Sequence, residues 1–175
     1  PMNFGRTWLG ILMLLFLIPH GSFSQEKSRI ELVRSDKLRF DKSIGVDAQR
    51  LLGNVIFKHK GALMYCDSAY LYNATNSLDA FGHVRVNQGD TLTMTSDKLN
   101  YNGNTQLIKV RDNVVLKDAE MTLTTHTLDY DRKTGQAIFY DRGNIISKKN
   151  DNRLVSCEGI YDSNSEFFFF RDSVV

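Results

Sequence analysis

The side chains with reactive chemistry recur at one place in the chain. Asp36, Asp67, Asp97, His126 and Glu158 hold the same position in a unit that repeats about every 30 residues. A stacked column of such groups could offer oxygens to a divalent cation. The competing reading is structural: a short polar side chain bonds the backbone at a strand corner. Repeated use at every corner favours the structural reading, so no metal site is expected. His20, His59, His83 and His126 have no metal-ligand spacing. Thr134-Gly135 is a turn without the Lys-Ser or Lys-Thr of a phosphate loop. There is no Gly-x-Ser-x-Gly elbow and no Ser/His/Asp set. A carbohydrate-acting enzyme would need paired carboxylates facing one cleft, which the column does not resemble. The chain reads as a non-enzyme without cofactors.

Cys66 and Cys157 also share a repeat position, three units apart. Stacked strands lie about 4.8 Å apart, so three steps separate them by about 14 Å at least. A disulfide needs Cα atoms within about 7 Å. Two free thiols are expected.

The elements that position these groups come from the repeat itself. Gly53-Asn54-Val55-Ile56-Phe57 returns as Gly82-His83-Val84-Arg85-Val86, then Asp112-Asn113-Val114-Val115-Leu116, Gly143-Asn144-Ile145-Ile146 and Asp172-Ser173-Val174-Val175. The steps from Val55 to Val84, Val114, Ile145 and Val174 are 29, 30, 31 and 29 residues. Within each unit apolar residues alternate with polar ones, as in Val84/Val86, Met64/Cys66, Leu123/Thr125, Leu78/Ala80, Ile138/Tyr140 and Phe168/Phe170. Alternation at this period marks half-buried strands. Turn chemistry separates them at Asn73-Ala74-Thr75-Asn76, Asn102-Gly103-Asn104, Arg132-Lys133-Thr134-Gly135 and Asn150-Asp151-Asn152. Each unit is expected to hold about three short strands. One unit cannot cover its own apolar face, so neighbours must stack around a continuous core. An open jelly-roll and a coiled β-solenoid both satisfy this.

The N-terminal stretch reads differently. Arg6 precedes an apolar run from Trp8 to Ile18, and Ser22-Phe23-Ser24 follows with a small-x-small pattern. That run is shorter than the roughly 20 residues a membrane span needs, so residues 1–24 are expected to be an export signal and residues 25–175 one repeat domain. Loss of Arg6 lowers the formal net charge from +2 to +1, which gives no field for nucleic acid. Pro1 and Pro19 are the only prolines. A proline-free domain suits strands that use every backbone N–H.

Several motifs together carry a resemblance. Gly53-Asn54-Val55, Asp97-Lys98-Leu99-Asn100-Tyr101, Leu128-Asp129-Tyr130 with Thr134-Gly135-Gln136-Ala137, and Gly143-Asn144-Ile145 resemble the repeat of the OstA-like (LptA-like) family of bacterial outer-membrane biogenesis proteins. The likeness runs from about Ser35 to the end. Asp112 and Asp172 depart from it where glycine is usual, as does His126 where aspartate stands in other units. The resemblance implies an all-β, open jelly-roll in the periplasm, associated with outer-membrane biogenesis. It also implies an apolar interior that shelters the acyl chains of lipopolysaccharide or a related lipid, and members joined head to tail, or to other jelly-roll transport proteins, through edge strands.

From the alternation, the candidate lining is Val55, Phe57, Val84, Val86, Met94, Ile108, Val110, Val114, Leu116, Leu123, Ile138, Phe168 and Phe170. Buried methylenes gain roughly 0.8 kcal/mol each, so such a groove could hold a lipid without bond chemistry. The same residues could instead fill a dry core, and a structural or adhesive β-solenoid without cargo is the alternative function. Val174 and Val175 open a further strand that a second copy or a partner could pair with; equally, a longer chain could continue there.

Overall fold

The computed structural model describes residues 28–40 and 48–171. The expected export signal and the proposed edge residues Val174 and Val175 lie outside the described residues. Among the described residues, thirteen strands form one antiparallel array. Two short strands, β1 (Glu31–Arg34) and β2 (Lys37–Phe40), lead into six long ones. These are β3 (Ala48–His59), β4 (Ala62–Tyr72), β5 (Ser77–Gln88), β6 (Leu92–Asn102), β7 (Leu107–Lys117) and β8 (Met121–Asp131). Five short strands finish the array: β9 (Gln136–Phe139), β10 (Gly143–Ser147), β11 (Arg153–Ser156), β12 (Glu158–Asp162) and β13 (Phe167–Arg171).

Strands of 11 or 12 residues replace the short ones expected from the repeat. The Leu78/Ala80 stretch and the Val84/Val86 stretch, for example, are two halves of β5. A corner, not a loop, joins the halves. Ladder register slips at mid-strand, between Leu52 and Val55, Phe81 and Val84, and Arg111 and Val114. At each slip two successive residues take positive φ: Gly53 and Asn54, Gly82 and His83, Asp112 and Asn113. Such doubled left-handed residues bend a strand sharply, and they explain the Gly-Asn landmark.

The acidic landmark secures these corners. The Asn54 side-chain amide donates to Asp36 at 2.8 Å, and that of Asn113 donates to Asp97 at 2.7 Å. His83 Nδ1 lies 2.7 Å from Asp67. At Gly53 and Gly82 an added Cβ would run into the carboxylates of Asp36 and Asp67. Where Asp112 replaces the glycine, its carboxylate pairs with Lys98 at 3.0 Å. Asp36, Asp67 and Asp97 therefore work as corner braces.

Bending folds the array into two facing layers. The first holds β1, β10, β11 and the halves of β3 to β8 nearest residues 59, 62, 88, 92, 117 and 121. The second holds β2, β9, β12, β13 and the other halves. One continuous core lies between them, from Ile30 and Leu51 through Tyr101 and Leu116 to Phe139 and Tyr161. Each large apolar side chain buried there contributes roughly 1.5–3 kcal/mol.

The alternation placed Ile138 and Tyr140 on the inward row. In the structure Ala137 and Phe139 point inward, and Tyr140 is 53% exposed. The register explains this: Ala137 pairs with Tyr130 and Phe139 with Leu128, both core residues. Core residues that flank the other corners, such as Val110 and Val114, are four apart, whereas Phe139 and Ile145 are six apart. The extra length sits at the corner, where Tyr140-Asp141-Arg142 separates β9 from β10. Ala137 and Phe139 thus stand 29 residues after Ile108 and Val110, whereas Ile145 stands 31 after Val114, so a uniform step of 30 lands on Ile138 and shifts the inward row by one.

Candidate functional site

The interior is filled along most of its length and open at one end. Val55, Phe57, Val84, Val86, Met94, Ile108, Val110, Val114, Leu116 and Leu123 are each at most 2% exposed. They belong to one packed cluster. Ile138 is half-buried on the outer face, beside Ile160 and Phe169. Phe168 and Phe170 are half-buried and packed against the core from its last strand.

These two phenylalanines line a cavity of about 320 Å³ between the layers. Ile145 and Leu154 line it from the first layer, with Met121 at its base. Tyr161 stacks on Phe168 with ring centroids 4.5 Å apart, and Phe168 lies parallel to Phe170 at 5.6 Å. Glu120, Lys149 and Glu166 form a charged margin, where Lys149 pairs with Glu120 at 2.7 Å. The geometry suits an apolar chain with a polar head. Among the described residues β13 pairs with β12 alone, so Phe168 and Phe170 lie on the last described strand of the array.

At the opposite end, among the described residues, β1 and β2 pair only with β3. Leu38 stands opposite core residue Leu51 in the ladder, yet it is 44% exposed, and Phe40 on the same row is 71% exposed. Among the described residues, both ends of the second layer thus present inward-row aromatic or aliphatic residues on strands paired along one edge.

The long side between the layers is closed by polar groups, and sequence reasoning missed them. His59, at the end of β3, is buried and within 2.6 Å of the Tyr101 hydroxyl from the facing layer. Arg132 donates to the Tyr101 hydroxyl at 2.8 Å, to the carbonyls of His59 and Lys60, and to Gln88. Farther along, the Tyr161 hydroxyl donates to the Asp118 carboxylate. Burial, reinforced by that carboxylate, holds the Tyr161 phenol well above its ordinary range. One signal could have found this seam: Tyr101 closes the recurring Asp-x-Leu-x-Tyr landmark, and Tyr130 and Tyr161 hold its place one and two units on.

Cys66 is buried and Cys157 exposed, and both are free. Burial pushes the Cys66 thiol up to about 12. Among the described residues no group of His, Cys, Asp or Glu is placed to hold a metal ion.

A bent two-layer β array with a continuous apolar interior between its layers defines an open β jelly-roll. The chain belongs to the OstA-like protein family, which matches residues 27–175. Its fold is similar to that of LptH from Pseudomonas aeruginosa, described as the LptA-homologous periplasmic component of the conserved lipopolysaccharide transport device. That likeness has a TM-score of 0.58 at 15% identity and covers 64% of this chain and 82% of that one. No curated protein sequence matches this chain.

Proposed function

We propose that this protein is a non-enzymatic periplasmic carrier that shelters the acyl chains of lipopolysaccharide, or a related lipid, between its two layers. The observation that carries the reading is the open apolar end lined by Ile145, Leu154, Phe168 and Phe170. Family membership supports it, as does the likeness to a component of a lipopolysaccharide transport device. Each methylene that leaves water for such a surface gains roughly 0.8 kcal/mol, so a few carbons suffice to start loading.

The end strands extend the proposal. If β2 of a second copy paired with β13, Leu38 and Phe40 would continue the inward row that ends at Phe168 and Phe170. Lys37 and Arg39 would fall on the outer face beside Phe167 and Phe169, which are 66% and 62% exposed. Arg–aromatic contact already occurs on that layer, with Arg50 6.0 Å from the Tyr70 ring centre. Head-to-tail copies, or another jelly-roll protein, would thereby join two interiors into one.

Pull-down of the purified chain with lipopolysaccharide in detergent-free buffer tests the carrier reading. Bound lipid is expected, with loss in Phe168→Asp and Phe170→Asp; no lipid at high protein concentration overturns it. The second reading is a structural β-rod without cargo. It is favoured by the ten candidate lining residues that are already packed against one another, and it expects no lipid from either protein.

A further inference from the structure

We infer that the Arg132–Tyr101–His59 chain is a latch that holds the two layers together, and that it must release before an acyl chain can pass from the open end into the filled interior. This rests on the carrier reading. The hydrogen-bond directions are determined by elimination. The Ser28 carbonyl can only accept, so the proton facing it, at 3.0 Å, is on His59 Nε2. Neutral His59 then accepts at Nδ1 from the Tyr101 hydroxyl, and that oxygen accepts from Arg132. Each member depends on the next.

The chain also joins parts that no strand ladder connects. Tyr101 and Arg132 belong to the second layer, and His59, Lys60 and Gln88 to the first. A strap, Ser28 to Ile30, completes the tie at the N-terminal end. Its Ser28 carbonyl accepts from both His59 and the Asn76 side chain, and Ile30 N–H donates to Asn76. Ile30 is buried beneath it.

A polar seam in front of an apolar core is suited to opening. When the layers part, water replaces the lost hydrogen bonds of the seam, so the net cost is modest. The apolar surfaces behind it exchange contact with each other for contact with the acyl chain. An apolar seam would lose its burial on opening and would offer no such exchange at the rim.

Uptake of cis-parinaric acid, a fatty acid that fluoresces once its chain enters an apolar site, reads the latch directly. Tyr101→Phe removes one oxygen, and Arg132→Gln removes the donor. Each is expected to load the probe at least about tenfold faster than the unaltered chain, because a charge-assisted link is lost. Arg111→Gln, which removes a guanidinium from the outer face, should change nothing. In a Cys66→Ser, Cys157→Ser background, Gln88→Cys and Arg132→Cys joined by a cleavable bismaleimide should stop loading until the linker is cut. Unchanged loading in both folded latch variants, or full loading in the linked protein, overturns the latch. If no protein loads the probe, the carrier reading fails instead. The latch is then decided by hydrogen exchange: Tyr101→Phe must speed exchange around His59 and Asn76, and unchanged exchange there overturns it.

Discussion

Gly82 packs against the Asp67 carboxylate so closely that a Cβ at residue 82 could not fit without moving it. Its φ of 76° is also one that side-chain-bearing residues avoid. Gly82→Ala is expected to cost roughly 1–3 kcal/mol, combining backbone strain with the clash. Asp67→Ala should relieve part of this, so the double variant loses less than the sum of the single ones. Urea unfolding of the four proteins measures both effects, and strict additivity would mean that the two residues do not interact.

Phe139 and Ile138 are neighbours on opposite faces, and their substitutions should differ sharply. Phe139→Ala empties part of the core and is expected to cost about 3–5 kcal/mol. Ile138→Ser, on the half-buried outer face, should cost about 1 kcal/mol or less. Equal losses in denaturant melts would show that Ile138 also carries the core.

Two histidines should shape stability against pH in opposite directions. Burial holds His59 below its ordinary value of 6.5. The unfolded chain therefore binds the extra proton first, and the His59 contribution, present above about pH 6.5, is lost as pH falls through its lowered value. His83 is raised, chiefly by its hydrogen bond to Asp67. Its contribution is full below about pH 6.5 and is lost as pH rises through the raised value. His59→Gln should flatten the limb of a stability–pH curve below about pH 6.5, and His83→Gln the limb above it. Identical curves for these variants and the unaltered chain would count against both assignments.

The thiols should separate by access. Cys157 is exposed, whereas Cys66 is buried with its thiolate disfavoured. Ellman's reagent should find one thiol in the native protein and two in denaturant. Rapid native modification of Cys66, located by mass spectrometry, would show that its corner opens.

Period-two alternation, tandem spacing and turn residues were sufficient for an all-β stacked array, because each is a local property that every unit states again. The corner landmark was legible for the same reason, although its partners were not. Asp36 reaches Asn54 and Asp97 reaches Asn113, and those pairings follow from strand register. Which face Ile138 occupies depended on where the longer unit placed its added residues, and only the ladder from Tyr130 to Ala137 decided it. The latch was hidden altogether. His59, Tyr101 and Arg132 lie 42 and 31 positions apart in sequence, and they meet only because the bent strands bring two layers face to face. Local chemistry determines a strand and its corner; contact between layers depends on how far each corner turns, which is a property of the assembled array.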